Sequence, residues 1–188
     1  HTLYAFQDCS AIREIIVVAR EDLVVEVGRL CKEFDLDKVR KVIVGGGERI
    51  QSVQAGLREV DPESSLVAIH DGARPLVTQE IIRDTVARAA LTGAAAPGIP
   101  LTDTIKRTQD GLAVETVDRS QLWAVQTPQV FETGLIKGAV QKAVDDGELL
   151  TDDCGAVERL GMKVTLTSGS RENIKITTPL DLILGEAI

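Results

Sequence analysis

Short β-branched runs, separated by amphipathic stretches, constrain this chain more than any other feature. Ile15–Ala19 is the first such run, with Ile15, Ile16, Val17 and Val18 in succession. Leu23 to Phe34 follows, with Leu23, Val27, Leu30 and Phe34 at the spacing of one helix face. Val42–Val44 reads as a second strand, leading into Gly45, Gly46 and Gly47 and then a helix over Ser52–Val60. Leu66–Ile69 is a third strand, and it ends at His70-Asp71-Gly72-Ala73-Arg74-Pro75. Thr78 is placed to cap a helix whose apolar face is Ile81, Ile82, Val86 and Ala89, and Gly93–Ile99 reads as a fourth strand. Strand, loop, helix, strand predicts an α/β fold, its sheet mostly parallel and covered by helices on both faces. Right-handed crossovers carry the C-terminal ends of such strands to one edge, where ligands bind. The Gly45–Gly47 and His70–Pro75 loops should therefore meet there.

Composition narrows the class. Aromatic residues are only 3% of the chain, so Val, Ile, Leu and Ala must build the core, as buried parallel strands usually require. The 188 residues suit one domain. A net charge of −8 repels polyanions, so neither nucleic acid nor an anionic membrane is an expected partner. No apolar run approaches the roughly 20 residues that cross a bilayer, and no signal peptide opens the chain, so the cytoplasm is the expected compartment. Cys9, Cys31 and Cys154 are widely spaced and odd in number, which fits reduced thiols better than disulfides or zinc.

The rhythm breaks over residues 100–122. Thr104–Arg107 and Val114–Val117 alternate like strands, and Asp110-Gly111 between them is a turn signal. This predicts a β-hairpin arm inserted into the domain. An isolated hairpin is marginal in water, so a second copy of the protein is its natural support. Helices are expected over Glu132–Asp146 and Asp153–Leu160, and a strand over Lys163–Thr167. Asn173–Ile176 is expected to return briefly to the sheet, and Pro179 to open the last helix. The chain opens in a helical stretch, His1–Phe6, with no earlier strand.

Candidate site residues lie in the loops. The Gly45–Gly47 turn can close backbone N–H groups on an anion, with the Ser52 hydroxyl beside it, or it can be a tight turn without a ligand. Asp71 can hold a ribose hydroxyl or Mg²⁺; Arg74 can pair with Asp71 or face a phosphate. His70 reads as a packed residue, not a catalyst. Lys175, between two Ile residues, is either solvated or a phosphate grip. Asp152 and Asp153 read as a helix cap more than as a metal pair. Trp123 reads as packing at the hairpin base.

Several stretches together resemble the 2-C-methyl-D-erythritol 4-phosphate cytidylyltransferase family. They are Gly45-Gly46-Gly47-Glu48-Arg49-Ile50-Gln51-Ser52-Val53, His70–Pro75, Asp103-Thr104-Ile105-Lys106-Arg107, Val117-Asp118-Arg119-Ser120-Gln121-Leu122-Trp123, Gln126–Phe131, Thr151-Asp152-Asp153 and Asn173–Thr177. The resemblance implies a Rossmann-like nucleotidyltransferase domain with a β-arm exchanged between two subunits. It implies CTP, Mg²⁺, methylerythritol phosphate and release of pyrophosphate, in the non-mevalonate isoprenoid pathway. Gly45, Gly46, Gly47, Ser52 and Asp71 fall at nucleotide-binding positions, and Asp71, Arg74 and Thr104 at substrate-binding ones. Arg119 and Lys175 fall where the acceptor phosphate is held for attack. Gly47 stands where some relatives carry an acidic or other side chain, so any side-chain contact there is lost. Family members open with a strand, a glycine-rich loop carrying an Arg, and a Lys-Gln pair that grip the triphosphate; the match here starts past them. Little catalysis is therefore expected from these residues alone. The alternatives are transfer to another polyol phosphate, such as ribitol 5-phosphate, and a non-catalytic nucleotide-binding or dimerisation module.

Overall fold

The computed structural model describes residues 1–148 and 150–188. In chain order the elements are α1 (Thr2–Gln7), β1 (Ile15–Ala19), α2 (Val24–Glu33), β2 (Val39–Val44), α3 (Arg49–Glu59), β3 (Leu66–Ile69), α4 (Gln79–Thr92) and β4 (Ala94–Pro100). The hairpin strands β5 (Ile105–Gln109) and β6 (Leu112–Val117) come next. Then follow β7 (Trp123–Val125), β8 (Gln129–Glu132), α5 (Thr133–Asp145), α6 (Asp153–Arg159), β9 (Thr165–Ser168) and α7 (Pro179–Ala187).

The central sheet has the order β3-β8-β4-β7, with β9 also paired to β4. β3, β4 and β9 point one way, because β8 runs antiparallel to both β3 and β4 while β9 is parallel to β4. β1 and β2 form a separate parallel pair. The α/β class read from the sequence holds. β7 and β8 were not anticipated, and the reason is chemical. Gln126-Thr127-Pro128-Gln129 carries no apolar run, yet Gln129 is buried because its amide is satisfied.

Period-two alternation at the sheet centre builds the two faces. Ala94, Ala96 and Phe131 face Leu57 of α3, Ile136 and Val140 of α5 and Val157 of α6. Ala95 and Val130 face the other way, against Ala89 of α4. The alanines let helices approach closely, and Phe131 fills the space that remains. Truncating it to Ala would cost about 3–5 kcal/mol. A third cluster, of Phe6, Cys9, Val77, Ile81 and Ile82, seats α1 on α4.

Local signals act where expected. The Thr78 side chain accepts from Ile81 N–H and opens α4. Thr178 and Asp181 form a capping box, with Pro179 at the start of α7. The Asp152 carboxylate accepts from Gly155 N–H and caps α6. The hairpin turn is Asp110-Gly111, both at positive φ. Pro100 lies opposite Trp123, so the residues between leave and re-enter the sheet at one place, with Trp123 at the base. One expectation fails. Asn173–Ile176 is not a strand; Ile176 N–H donates to Ala73 carbonyl, but no ladder continues from it. The Ile-Lys-Ile alternation looks like a strand, yet side-chain amides hold this segment instead.

Candidate active site

Two loops at the ends of β2 and β3 form the site. The first is Gly45–Gly47, with Glu48 at the N-cap of α3; the Glu48 and Gln51 side chains form a reciprocal capping box. Gly46 N–H donates to Ser52 Oγ at 3.1 Å, and Ser52 Oγ donates back to Glu48 carbonyl at 3.2 Å. A Cβ on Gly45 would lie 2.6 Å from Ser52 Oγ, and one on Gly46 would lie 2.3 Å from Gln51 Cβ. Only glycine fits at these two positions. At Gly47 the nearest contact would be an ordinary 3.6 Å, so a side chain is tolerated there.

The second loop carries Asp71. Its backbone N–H donates to Thr127 Oγ1 at 3.2 Å, and the loop closes through Arg74 N–H to Asp71 carbonyl at 3.0 Å. The Asp71 carboxylate is only 15% exposed. Lys175 Nζ lies 3.1 Å from its Oδ2, Arg74 Nε 3.4 Å from the same oxygen, and Arg49 Nε 3.9 Å from Oδ1. Burial works to raise the Asp71 pKa, but the hydrogen bond and charge of Lys175, joined by Arg49 and Arg74, outweigh it and hold it below the ordinary carboxylate value. Arg74 is 14% exposed and also donates to Asn173 carbonyl at 2.7 Å. Lys175 is 43% exposed, so it is the cation of this cluster that a ligand reaches first.

Arg49 ties the cluster into the core. It grips Asp153 with two hydrogen bonds, Nη1–Oδ1 at 2.9 Å and Nη2–Oδ2 at 2.6 Å. Asp153 is buried, and burial raises its pKa against the pull of Arg49. Gln129 Oε1 accepts from the N–H groups of Asp153 and Cys154, and its Nε2 donates to Asp152. The start of α6 is thus fixed to β8, and through Arg49 to Asp71. The sequence alone gives Arg49, Gln126, Gln129 and Asn173 no role, and offers Asp153 as part of a cap or, less favoured, of a metal pair. Nothing in the local pattern marks a pair whose members are 104 residues apart.

His70 is a packed residue. Nε2 lies 3.1 Å from Arg74 carbonyl, Nδ1 lies 2.9 Å from Thr127 Oγ1, and Phe6 covers the ring at a centroid distance of 4.7 Å. Burial lowers its pKa to about 4, so the ring is neutral near neutral pH.

The structure brings Gly45, Gly46, Ser52, Asp71, Arg74 and Lys175 to one edge. Arg119 and Thr104 are elsewhere, at the arm, and both are exposed. The Arg119 guanidinium donates to Thr102 carbonyl at the arm base. Among the described residues, no hydrogen bond or ion pair joins it to Asp71, Arg74 or Lys175. The Asp71 carboxylate faces three cations of the protein; a Mg²⁺ here would be held by this one carboxylate together with phosphate oxygens of a ligand.

A glycine turn entering a helix, beside a basic cluster at the C-terminal edge of an α/β sheet, defines the class: a protein built to hold a phosphorylated ligand at that edge. The family model described as 2-C-methyl-D-erythritol 4-phosphate cytidylyltransferase matches residues 1–188, and the chain belongs to that family. It is 45% identical to the enzyme of that name from Halalkalibacterium halodurans, over all of this chain and 82% of the relative. It is 47% identical to the one from Caldanaerobacter subterraneus, over 99% of this chain and 83% of the relative. Among solved structures, 4-diphosphocytidyl-2C-methyl-D-erythritol synthase from Anaerococcus prevotii superposes with a TM-score of 0.91 at 32% identity, covering 99% of this chain and 82% of that one. The Thermus thermophilus cytidylyltransferase gives 0.85 at 33% identity, over 99% and 85%.

Proposed function

We propose that this protein transfers CMP from CTP to 2-C-methyl-D-erythritol 4-phosphate, with release of pyrophosphate, in non-mevalonate isoprenoid synthesis. The observation that carries the reading is the Lys175–Asp71–Arg74 cluster, joined through Arg49 to the start of the helix that follows the Gly46 turn. An oxygen of the acceptor phosphate attacks the α-phosphorus of CTP. The bond from that phosphorus to the bridging oxygen breaks, and pyrophosphate leaves with the electron pair. The nucleophile is already anionic, so no general base is required; positioning and charge neutralisation remain for the protein.

Lys175 is the acceptor grip in this reading. The Gly45–Gly47 turn and Ser52 line the nucleotide side, and Asp71 and Arg74 stand between the two. Arg119 and Thr104 complete the acceptor side from the arm of a second copy. Support for a homodimer comes from the arm itself, where Leu112 is 71% exposed and Val114 55%, on a hairpin that among the described residues pairs only with itself. Mg²⁺ enters as the counter-ion of the triphosphate substrate. Three free thiols are consistent with a reducing cytoplasm, and no helix among the described residues is long and apolar enough to cross a membrane.

Pyrophosphate release by the full-length gene product tests the reaction. The expected result is release that depends on both CTP and methylerythritol phosphate. A preference for ribitol 5-phosphate would transfer the activity to another polyol phosphate. CTP binding without turnover on either acceptor would leave a non-catalytic module.

A further inference from the structure

Lys175 has four rotatable side-chain bonds and lies on a segment without regular structure. Whatever fixes that backbone fixes the ammonium. Upstream of Lys175, Gln126 does most of this, beside Arg74 on the Asn173 carbonyl and the Asn173 amide on the Thr127 carbonyl. Gln126 is buried on the strand side of the site, and its own N–H donates to Pro97 carbonyl of β4 at 2.7 Å. Among the described residues, every hydrogen bond of its amide goes to the segment that leads to Lys175. Nε2 donates to Ser170 carbonyl at 2.7 Å and points at Asn173 carbonyl at 3.4 Å. Oε1 accepts from Ser170 N–H at 3.2 Å and from Asn173 Nδ2 at 3.3 Å. The amide binds Ser170 by both backbone groups, as a neighbouring strand would, at a place where β9 has already ended at Ser168.

Two further observations show that the neighbourhood is built around this amide. A Cβ on Gly169 would lie 2.5 Å from Gln126 Oε1 and 3.0 Å from Gly98 carbonyl, so only glycine lets the loop approach it. Asn173 is wholly buried; its Nδ2 also donates to Thr127 carbonyl at 3.1 Å, while its carbonyl accepts from Arg74 Nη1. Gln126 thus fixes Asn173, and two residues further on Lys175 meets Asp71.

We propose that Gln126 is a positioning residue for Lys175: its amide sets the Ser170–Asn173 turn and so the place where the ammonium meets the acceptor phosphate. This rests on the reading of Lys175 given above. Gln126→Met keeps the side-chain length, removes the amide donor and replaces the carbonyl acceptor by a weakly accepting thioether. In the full-length gene product it should raise KM for methylerythritol phosphate roughly tenfold, the scale of a lost buried hydrogen bond, and leave KM for CTP within about twofold. A double-mutant cycle with Lys175→Ala separates positioning from general support. Acting through Lys175, Gln126→Met changes acceptor KM less than about twofold once the lysine is gone. Equal penalties in both backgrounds, or a parallel rise in KM for CTP, would overturn the positioning role. Unchanged acceptor KM in Lys175→Ala alone would overturn the reading of Lys175 itself. Should Gln126→Met not fold, Gln126→Glu keeps the acceptor and loses the donor to Ser170 carbonyl. A carboxylate oxygen then faces the Ser170 and Asn173 carbonyls, so its acceptor KM should rise by about tenfold or more, and a wild-type value in the folded variant contradicts the proposal.

Discussion

The Asp71 cluster and the β5–β6 arm carry similar residue types and hold them in opposite ways. Around Asp71 every charged group but Lys175 is half-buried or buried, and is held by a partner from another part of the chain: Arg49 by Asp153, Arg74 by Asn173, Asp71 by Thr127. On the arm, Arg107 pairs with Glu115 in the open, and Lys106 donates to Thr116 across the same exposed hairpin. The same ion-pair chemistry is a structural member in one region and surface decoration in the other. The cluster is preorganised by this chain's own core. The arm supplies side chains whose place depends on what the arm leans against.

Breaking buried pairs should sharpen that contrast most. Asp153→Ala leaves the Arg49 guanidinium without its buried partner and should destabilise the protein by about 3–5 kcal/mol in urea unfolding. A loss under about 1 kcal/mol would put this pair in the same class as those of the arm. Lys175→Ala should leave stability nearly unchanged and lower kcat/KM for the acceptor roughly 10²–10³-fold, as removal of one charge-stabilising donor does. Steady-state kinetics at saturating CTP checks it.

His70 tests the cluster through pH. Its folded pKa is about 4, below the ordinary 6.5, so the unfolded chain binds the proton more readily between those values. Its contribution is complete above about pH 6.5 and is lost as pH falls towards 4, up to about 3 kcal/mol. NMR titration of the ring should give an apparent pKa near 4; a value of 6 or more would mean the ring is not buried as described. The smallest effect belongs to the arm: Glu115→Ala should change unfolding free energy by less than about 1 kcal/mol.

The apolar half of this fold was legible because β-branched runs and helix caps are local. β1 and β3 stand at their expected residues, and Thr78 and Pro179 open their helices. β8 was not legible, since Gln129 and Pro128 read as loop until the buried amide finds Asp153 and Cys154. At the site, the Asp71–Arg74 pairing was readable from its three-residue spacing. Lys175 on Asp71 was expected only through the family resemblance, which sets both at the acceptor; Arg49 on Asp153 and Gln126 on Ser170 were not readable, because each joins residues brought together only by the sheet crossovers. Polar side chains that replace a backbone ladder leave no period in the sequence.

In the proposed dimer, Lys175 of one copy and Arg119 of another meet at a single phosphate. Subunits carrying Arg119→Ala and Lys175→Ala, each nearly inactive alone, can be mixed and allowed to exchange. If the arm is lent across a two-fold dimer, half of the molecules are mixed and one of their two sites is intact, so about a quarter of wild-type transferase activity should return. Exchange confirmed by mass spectrometry with no gain in activity would place both residues in the same subunit's site, or leave Arg119 outside it.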